Sequence, residues 1–146
     1  MEKWNNRFID LAHHISAWSK DPRTKVGAVV VNDLRQVVGL GYNGFPRGVE
    51  DTEERYNDRV TKLLFVAHAE QNALDSCYGE TKGGTLYSTL FPCCNCAKSI
   101  IQRGIKKVVT YPIDQDKTDT HHFGVSLMMF EEAGVHVEYV EDASNI

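Results

Sequence analysis

The sequence predicts an α/β fold, a five-stranded mixed sheet covered by helices on both faces. Two observations carry it. From residue 84 onward strands alternate with helices, which implies a partly parallel sheet. Ahead of them, "VGAVVVN" (26–32) and "QVVGLGYN" (36–43) read as strands joined by the short polar turn Asp33-Leu34-Arg35, and this hairpin makes the sheet mixed.

Each element has its own signal. Residues 3–19 carry Trp4, Phe8, Leu11, Ala12, Ile15 and Trp18 near helical spacing. "SKDP" (19–22) ends that helix, because a residue before proline leaves the α region. After the hairpin comes the glycine- and proline-bearing loop "GYNGFPRGVED" (41–51), then a mostly helical stretch, 53–78. "GTLYST" (84–89) reads as a strand and "CCNCAKSIIQRG" (93–104) as a helix, with Pro92 at its start and Gly104 at its end. "IKKVVTY" (105–111) is a strand, "FGVSLMMFEEAG" (123–134) a helix closed by Gly134, and "VHVEYV" (135–140) the last strand. Val125, Met128, Met129 and Phe130 read as one buried helix face, Trp4 and Trp18 as packing or subunit contacts, and Tyr87 as a packing residue.

The chain has 146 residues, 42% hydrophobic and 25% charged, which fits one domain over 1–146 with one core. No apolar run approaches the roughly 18 residues of a membrane span. "MEKWNNRFIDLAHH" has no apolar signal core, so the expected compartment is the cytoplasm. The net charge is 16 − 20 = −4, which disfavours a long polyanion such as a polynucleotide. A small anionic substrate needs only two or three local cations.

Three of the four cysteines, Cys93, Cys94 and Cys96, fall within four positions, with Cys77 apart. Neighbours in such a run are poorly placed to bridge one another. Alone, Cys93 and Cys96 would also suit a redox pair. In the helix they share one face, whereas Cys94 points about 100° away. The helix N-terminus favours their thiolates. Upstream, "LFVAHAEQNAL" (64–74) offers His68 and Glu70. His68, Cys93 and Cys96 make three zinc ligands and leave a fourth position for water, as in a catalytic rather than a structural site. Glu70 lies about 200° from His68 on a uniform helix, so it is a poor co-ligand. If His68 opens the helix, Glu70 can instead reach the water and move its protons. Singly, His68 would be a satisfied core histidine and Glu70 a solvated charge. The combined H-x-E…P-C-x-x-C pattern is specific for zinc nucleobase deaminases.

With these motifs, the chain resembles the cytidine/deoxycytidylate deaminase superfamily over nearly its whole length, and its strand order matches that fold's α/β/α sandwich. "SKDPRTKVGAVVV" (19–31), "VVGLGYNGFPRGVED" (37–51) and "HAEQNAL" (68–74) resemble the deoxycytidylate deaminase group. The resemblance implies one zinc per subunit on His68, Cys93 and Cys96, with Glu70 as proton shuttle and the Ala69 backbone facing the pyrimidine. It implies hydrolysis of dCMP at C4 to dUMP and ammonia. It places Asn43 on sugar hydroxyls, and Thr24 and Lys25, with Arg23 and Arg47 nearby, are cast to hold the 5′-phosphate. Their ordinary roles are a turn asparagine and solvated cations. It further implies a homohexamer, activated by dCTP and inhibited by dTTP with Mg²⁺ on the triphosphate, the regulator lying at Gly41, Tyr42, Asn43, Gly44 and Arg47. Gly41, Gly44 and Gly48 suit a backbone that approaches phosphates.

Relatives often carry a tyrosine in the loop after the fourth strand. Here 112–124 has none, which leaves Tyr111, His121 or His122 to substitute. Cys77, Cys94, His13 and His14 form no second zinc set. Two rival readings are a deaminase of another cytosine substrate, cytidine or nucleic-acid cytosine, and a non-catalytic nucleotide-sensing zinc module.

Overall fold

The computed structural model describes residues 2–113 and 121–141. Helix α1 (Glu2–Ser16) leads into the hairpin of β1 (Gly27–Val31) and β2 (Val37–Tyr42). Three short helices follow: α2 (Glu53–Asn57), α3 (Arg59–Phe65) and α4 (Ala69–Asp75). Then come β3 (Thr85–Ser88), α5 (Cys94–Gln102), β4 (Lys107–Thr110), α6 (Phe123–Ala133) and β5 (His136–Tyr139). The sheet has five strands in the order β2-β1-β3-β4-β5. β1 pairs antiparallel with both β2 and β3, while β3/β4 and β4/β5 are parallel. The mixed sheet expected from the sequence is therefore present. Helices α5 and α6 make the crossovers that parallel strands need.

The hairpin turn is cast by Asn32, whose side-chain oxygen accepts the amides of Leu34 and Gln36 at 3.0 and 2.9 Å. Arg35 takes the left-handed conformation there (φ 66°). β1 is buried along its whole length, as a central strand covered on both faces must be. Its side chains alternate: Ala28 and Val30 join Leu86, Val108, Ile100 and Phe130 on the α4/α5/α6 face. Val29 and Val31 join Phe8, Ile9, Ala12 and Ile15 of α1, with Tyr87 and Val109, on the other. Tyr87 is a packing residue, tilted against Phe8 at 5.1 Å.

Two glycines make the layers close. A Cβ on Gly27 would lie 1.9 Å from the Ala12 carbonyl oxygen of α1, and one on Gly41 would lie 2.5 Å from the Ala73 amide of α4. At Gly41 the close approach expected to a phosphate is thus to a helix backbone.

One helical expectation holds with two breaks, and one needs correction. The 53–78 stretch breaks twice: Asp58 turns out of α2 and caps α3 through Val60 and Thr61, and Val66 leaves α3 in extended conformation. In α6 the buried stripe is Phe123, Ser126 and Phe130, spaced i, i+3, i+7. That spacing leaves Val125 and Met128 exposed, the latter at 61%, so they are not part of a buried face. Trp18, just beyond α1, is half exposed and meets Tyr42 edge-on at 6.1 Å.

Candidate active site

Two helix starts converge. His68 is the N-cap of α4 and Cys93 the N-cap of α5, both in extended conformation. The helix at Cys93 therefore begins one residue later than its sequence suggests, and its start faces the start of α4. Ser99 Oγ donates to Gln71 Oε1 at 2.8 Å and Arg103 Nη2 to the Leu74 carbonyl at 3.0 Å, which ties α5 to α4 along their length.

The structure brings His68, Cys93 and Cys96 together. His68 Nδ1 lies 3.4 Å from each sulfur, and the three donor atoms all fall within 4.8 Å of one another. A tetrahedral zinc with these ligands sets its N···S edge at about 3.5 Å, so the donor set fits that ion. Cys94 is not in the group, and no second such group occurs among the described residues. The Cys96 thiol donates toward Cys93, which, with His68, holds Cys93 well below the usual thiol range. The same sharing, reinforced by burial, pushes Cys96 up. The hydrogen bond to Cys93 raises His68, against burial.

Glu70 belongs to the first turn of α4 and is 3% exposed. Because His68 sits outside the helix, the two are not separated as on a uniform helix. Burial pushes the Glu70 carboxyl up to about 7, against the pull of His68 and its own backbone N–H. A carboxyl poised there can both take and return a proton near neutrality. Ala69, between them, is fully buried.

The residues expected from the sequence to meet the nucleotide lie on polar loops. Asn43 is buried, its Oδ1 accepting from the Val26 amide at 2.8 Å and its Nδ2 donating to the Thr24 carbonyl at 2.9 Å. Its amide therefore already clamps the loop before β1, as a turn asparagine would. Arg23, Thr24 and Lys25 are exposed at the tip of that loop. Gly44 pairs with Ala67 across an isolated antiparallel bridge (3.1 and 2.8 Å), which sets the 41–48 loop beside His68. Tyr42 and Arg47 are exposed, and Gly48 is left-handed (φ 84°) with open space around it. The Tyr111 hydroxyl meets His13 Nε2, and His121 stacks on Phe123 at 5.2 Å. His122 is the left-handed N-cap of α6 (φ 55°). Residues 114–120 of the loop between them lie outside the described residues.

The sequence reading missed Asp21 and Lys62. "SKDP" was legible only as a helix stop, yet Asp21 is buried and its carboxylate accepts from Arg23 N, Thr24 N and Lys62 Nζ. An aspartate followed by free amides is an Asx-turn signal. Nothing local marks Lys62.

A deaminase site of the His-Cys-Cys type on this fold defines a class, and the comparisons agree with it. The family model for the cytidine and deoxycytidylate deaminase zinc-binding region matches residues 2–112, and the chain belongs to that family. Within it the relatives include human deoxycytidylate deaminase, 38% identical over 139 residues, covering 91% of this chain and 77% of the relative. An uncharacterized deaminase of Aliivibrio fischeri is 40% identical over 144 residues, covering 96% and 95%. The crystal structure of the cyanophage S-TIM5 dCMP deaminase in complex with dCMP and dUMP superposes with a TM-score of 0.75 at 29% identity, covering 94% and 97%. The α/β/α deaminase fold expected from the sequence is the one these neighbours share.

Proposed function

We propose that the protein is a zinc-dependent deoxycytidylate deaminase that converts dCMP and water to dUMP and ammonia. The observation that carries this is Glu70, buried beside the convergent His68, Cys93 and Cys96 donors. A zinc ion on those three atoms would supply the Lewis acid that makes a water nucleophilic at neutral pH. Starting as the carboxylate, Glu70 takes a proton from the attacking water and passes it to the ring nitrogen N3, then takes the remaining hydroxyl proton and hands it to the exocyclic nitrogen, leaving the water's oxygen as the C4 carbonyl. The C4–N bond then breaks and ammonia leaves. The Ala69 backbone lies between these groups, where the pyrimidine edge would rest. Asn43 keeps unused lone-pair and donor capacity for a sugar hydroxyl beyond its two loop contacts. Thr24 and Lys25, with Arg23, offer an exposed cationic tip for the 5′-phosphate.

The four cysteines are free, as is usual where thiols are kept reduced, which supports a cytoplasmic setting. Regulation by dCTP and dTTP with Mg²⁺ at Gly41, Tyr42, Asn43, Gly44 and Arg47 rests on the resemblance of the 41–48 loop, and a hexamer on the resemblance to the family as a whole. The Gly44–Ala67 bridge offers a route from that loop to His68. An ammonia-release assay on dCMP, deoxycytidine, cytidine and a cytosine oligonucleotide tests the substrate, repeated with dCTP and dTTP. Release from dCMP above the others is expected. Glu70→Ala should keep one zinc per chain and lose about 10²- to 10⁴-fold in turnover. Undiminished turnover in that variant, or no ammonia from dCMP, removes the assignment.

A further inference from the structure

A buried ion pair joins α3 to the loop between α1 and β1. Lys62 Nζ lies 3.2 Å from Asp21 Oδ2, with the side chains 14% and 5% exposed. Lys62 is thus no free surface cation: it is committed to Asp21. Asp21 in turn accepts the amides of Arg23 at 2.8 Å and Thr24 at 3.1 Å. Ser19 Oγ accepts the Asp21 amide at 3.2 Å and donates to the Asn43 carbonyl at 2.8 Å. On the far side of the loop, Asn43 grips Thr24 and Val26. Two buried side chains therefore fix the loop's backbone from both sides, while Pro22, Arg23, Thr24 and Lys25 stay exposed at its tip.

The cost of this arrangement indicates its use. Burying a charge pair gains little over apolar packing of the same shape. A helix stop needs no lysine from 41 residues away. What the pair does supply is a fixed tip beside β1, whose Gly27 is hydrogen-bonded to Thr89, close in sequence to Cys93. The bridge from Gly44 to Ala67 sets Asn43, the tip's other clamp, next to His68. We infer that Lys62 and Asp21 are positioning residues that hold the Arg23–Lys25 tip in one backbone shape to receive the phosphate of a nucleoside monophosphate. The pair thereby sets preference for the phosphorylated substrate. This rests on the proposed dCMP reading.

Full-length, zinc-loaded protein is compared on dCMP and on deoxycytidine, with Lys62→Met, Asp21→Asn, the double variant and Lys62→Arg. Lys62→Met is expected to raise KM for dCMP roughly 10- to 100-fold, with kcat and the deoxycytidine constants within about twofold. Lys62→Arg, which keeps the charge, is expected to restore most of the dCMP affinity. The double variant, which leaves no unpaired charge, keeps the fold while still losing the preference, and zinc content and thermal midpoint confirm that it is folded. An equal loss on both substrates, or an unchanged preference in a folded double variant, overturns the positioning role. If the wild type itself turns over deoxycytidine as well as dCMP, the phosphate reading falls first and takes this one with it.

Discussion

The two halves of the site are built on opposite principles. The metal half stands on two helix starts, α4 and α5, locked to each other and pressed onto the sheet by Ala73, Leu74, Ala97 and Ile100. The proposed nucleotide half stands on a loop held by the side chains of Asp21 and Asn43 gripping backbone amides and a carbonyl. Packing makes the first half rigid for the reaction's ligands. Hydrogen bonds make the second half exact in shape while leaving its tip polar and open.

The largest effect that tests this contrast lies in the metal half. Cys96→Ser or Cys93→Ser is expected to abolish zinc binding by metal analysis, with activity falling by about 10³-fold or more. Cys94→Ser should keep both. Loss of zinc in Cys94→Ser would mean that the donor group is wrongly drawn.

A smaller effect is expected where packing alone is at stake. Gly41→Ala places a Cβ against the α4 backbone, a contact no flexible side chain can relieve. A stability loss of about 3 kcal/mol is expected by urea unfolding. Activity should fall with it, because α4 carries Glu70 and follows His68. A neutral result would show that α4 is not pressed against β2.

The smallest effect is in the polar half, and it is pH-dependent. Burial works to raise Asp21, but the Arg23 and Thr24 amides and Lys62 outweigh it and hold its carboxyl below 3.8. A depressed folded pKa contributes stability above the unfolded value and loses it as pH falls through the folded one. Asp21→Asn should therefore be less stable than wild type by about 2 kcal/mol at neutral pH. The gap should close as pH drops below about 3.8. A gap that stays constant across that range would mean that Asp21 is not ionised in the folded protein.

The same contrast explains what the sequence disclosed. The hairpin and the parallel strands follow from local alternation and were legible, as were the His68/Glu70 and Cys93/Cys96 spacings, which are set within one turn of chain. The breaks at Asp58 and Val66 were hidden because the residues between them favour helix. The exposure of Met128 was hidden because four adjacent apolar residues (127–130) mask which stripe faces the sheet. Lys62 was invisible because its partner is 41 positions away. At Asn43 the residue type was read but not its grip on Thr24 and Val26, which exists only once β1 and β2 are paired.

The Gly44–Ala67 bridge has one more consequence. It staples together the two ends of the excursion that carries α2 and α3, whose own small aromatic nucleus stacks Phe45 on Tyr56 at 4.3 Å and sets Phe65 edge-on to Phe45 at 5.5 Å. With its mouth pinned, that excursion is anchored at its base and tied to the loop after α1 by the Lys62–Asp21 and Lys20–Asp51 ion pairs. Its length can drift by insertion or deletion while the histidine one residue past the staple stays where it is.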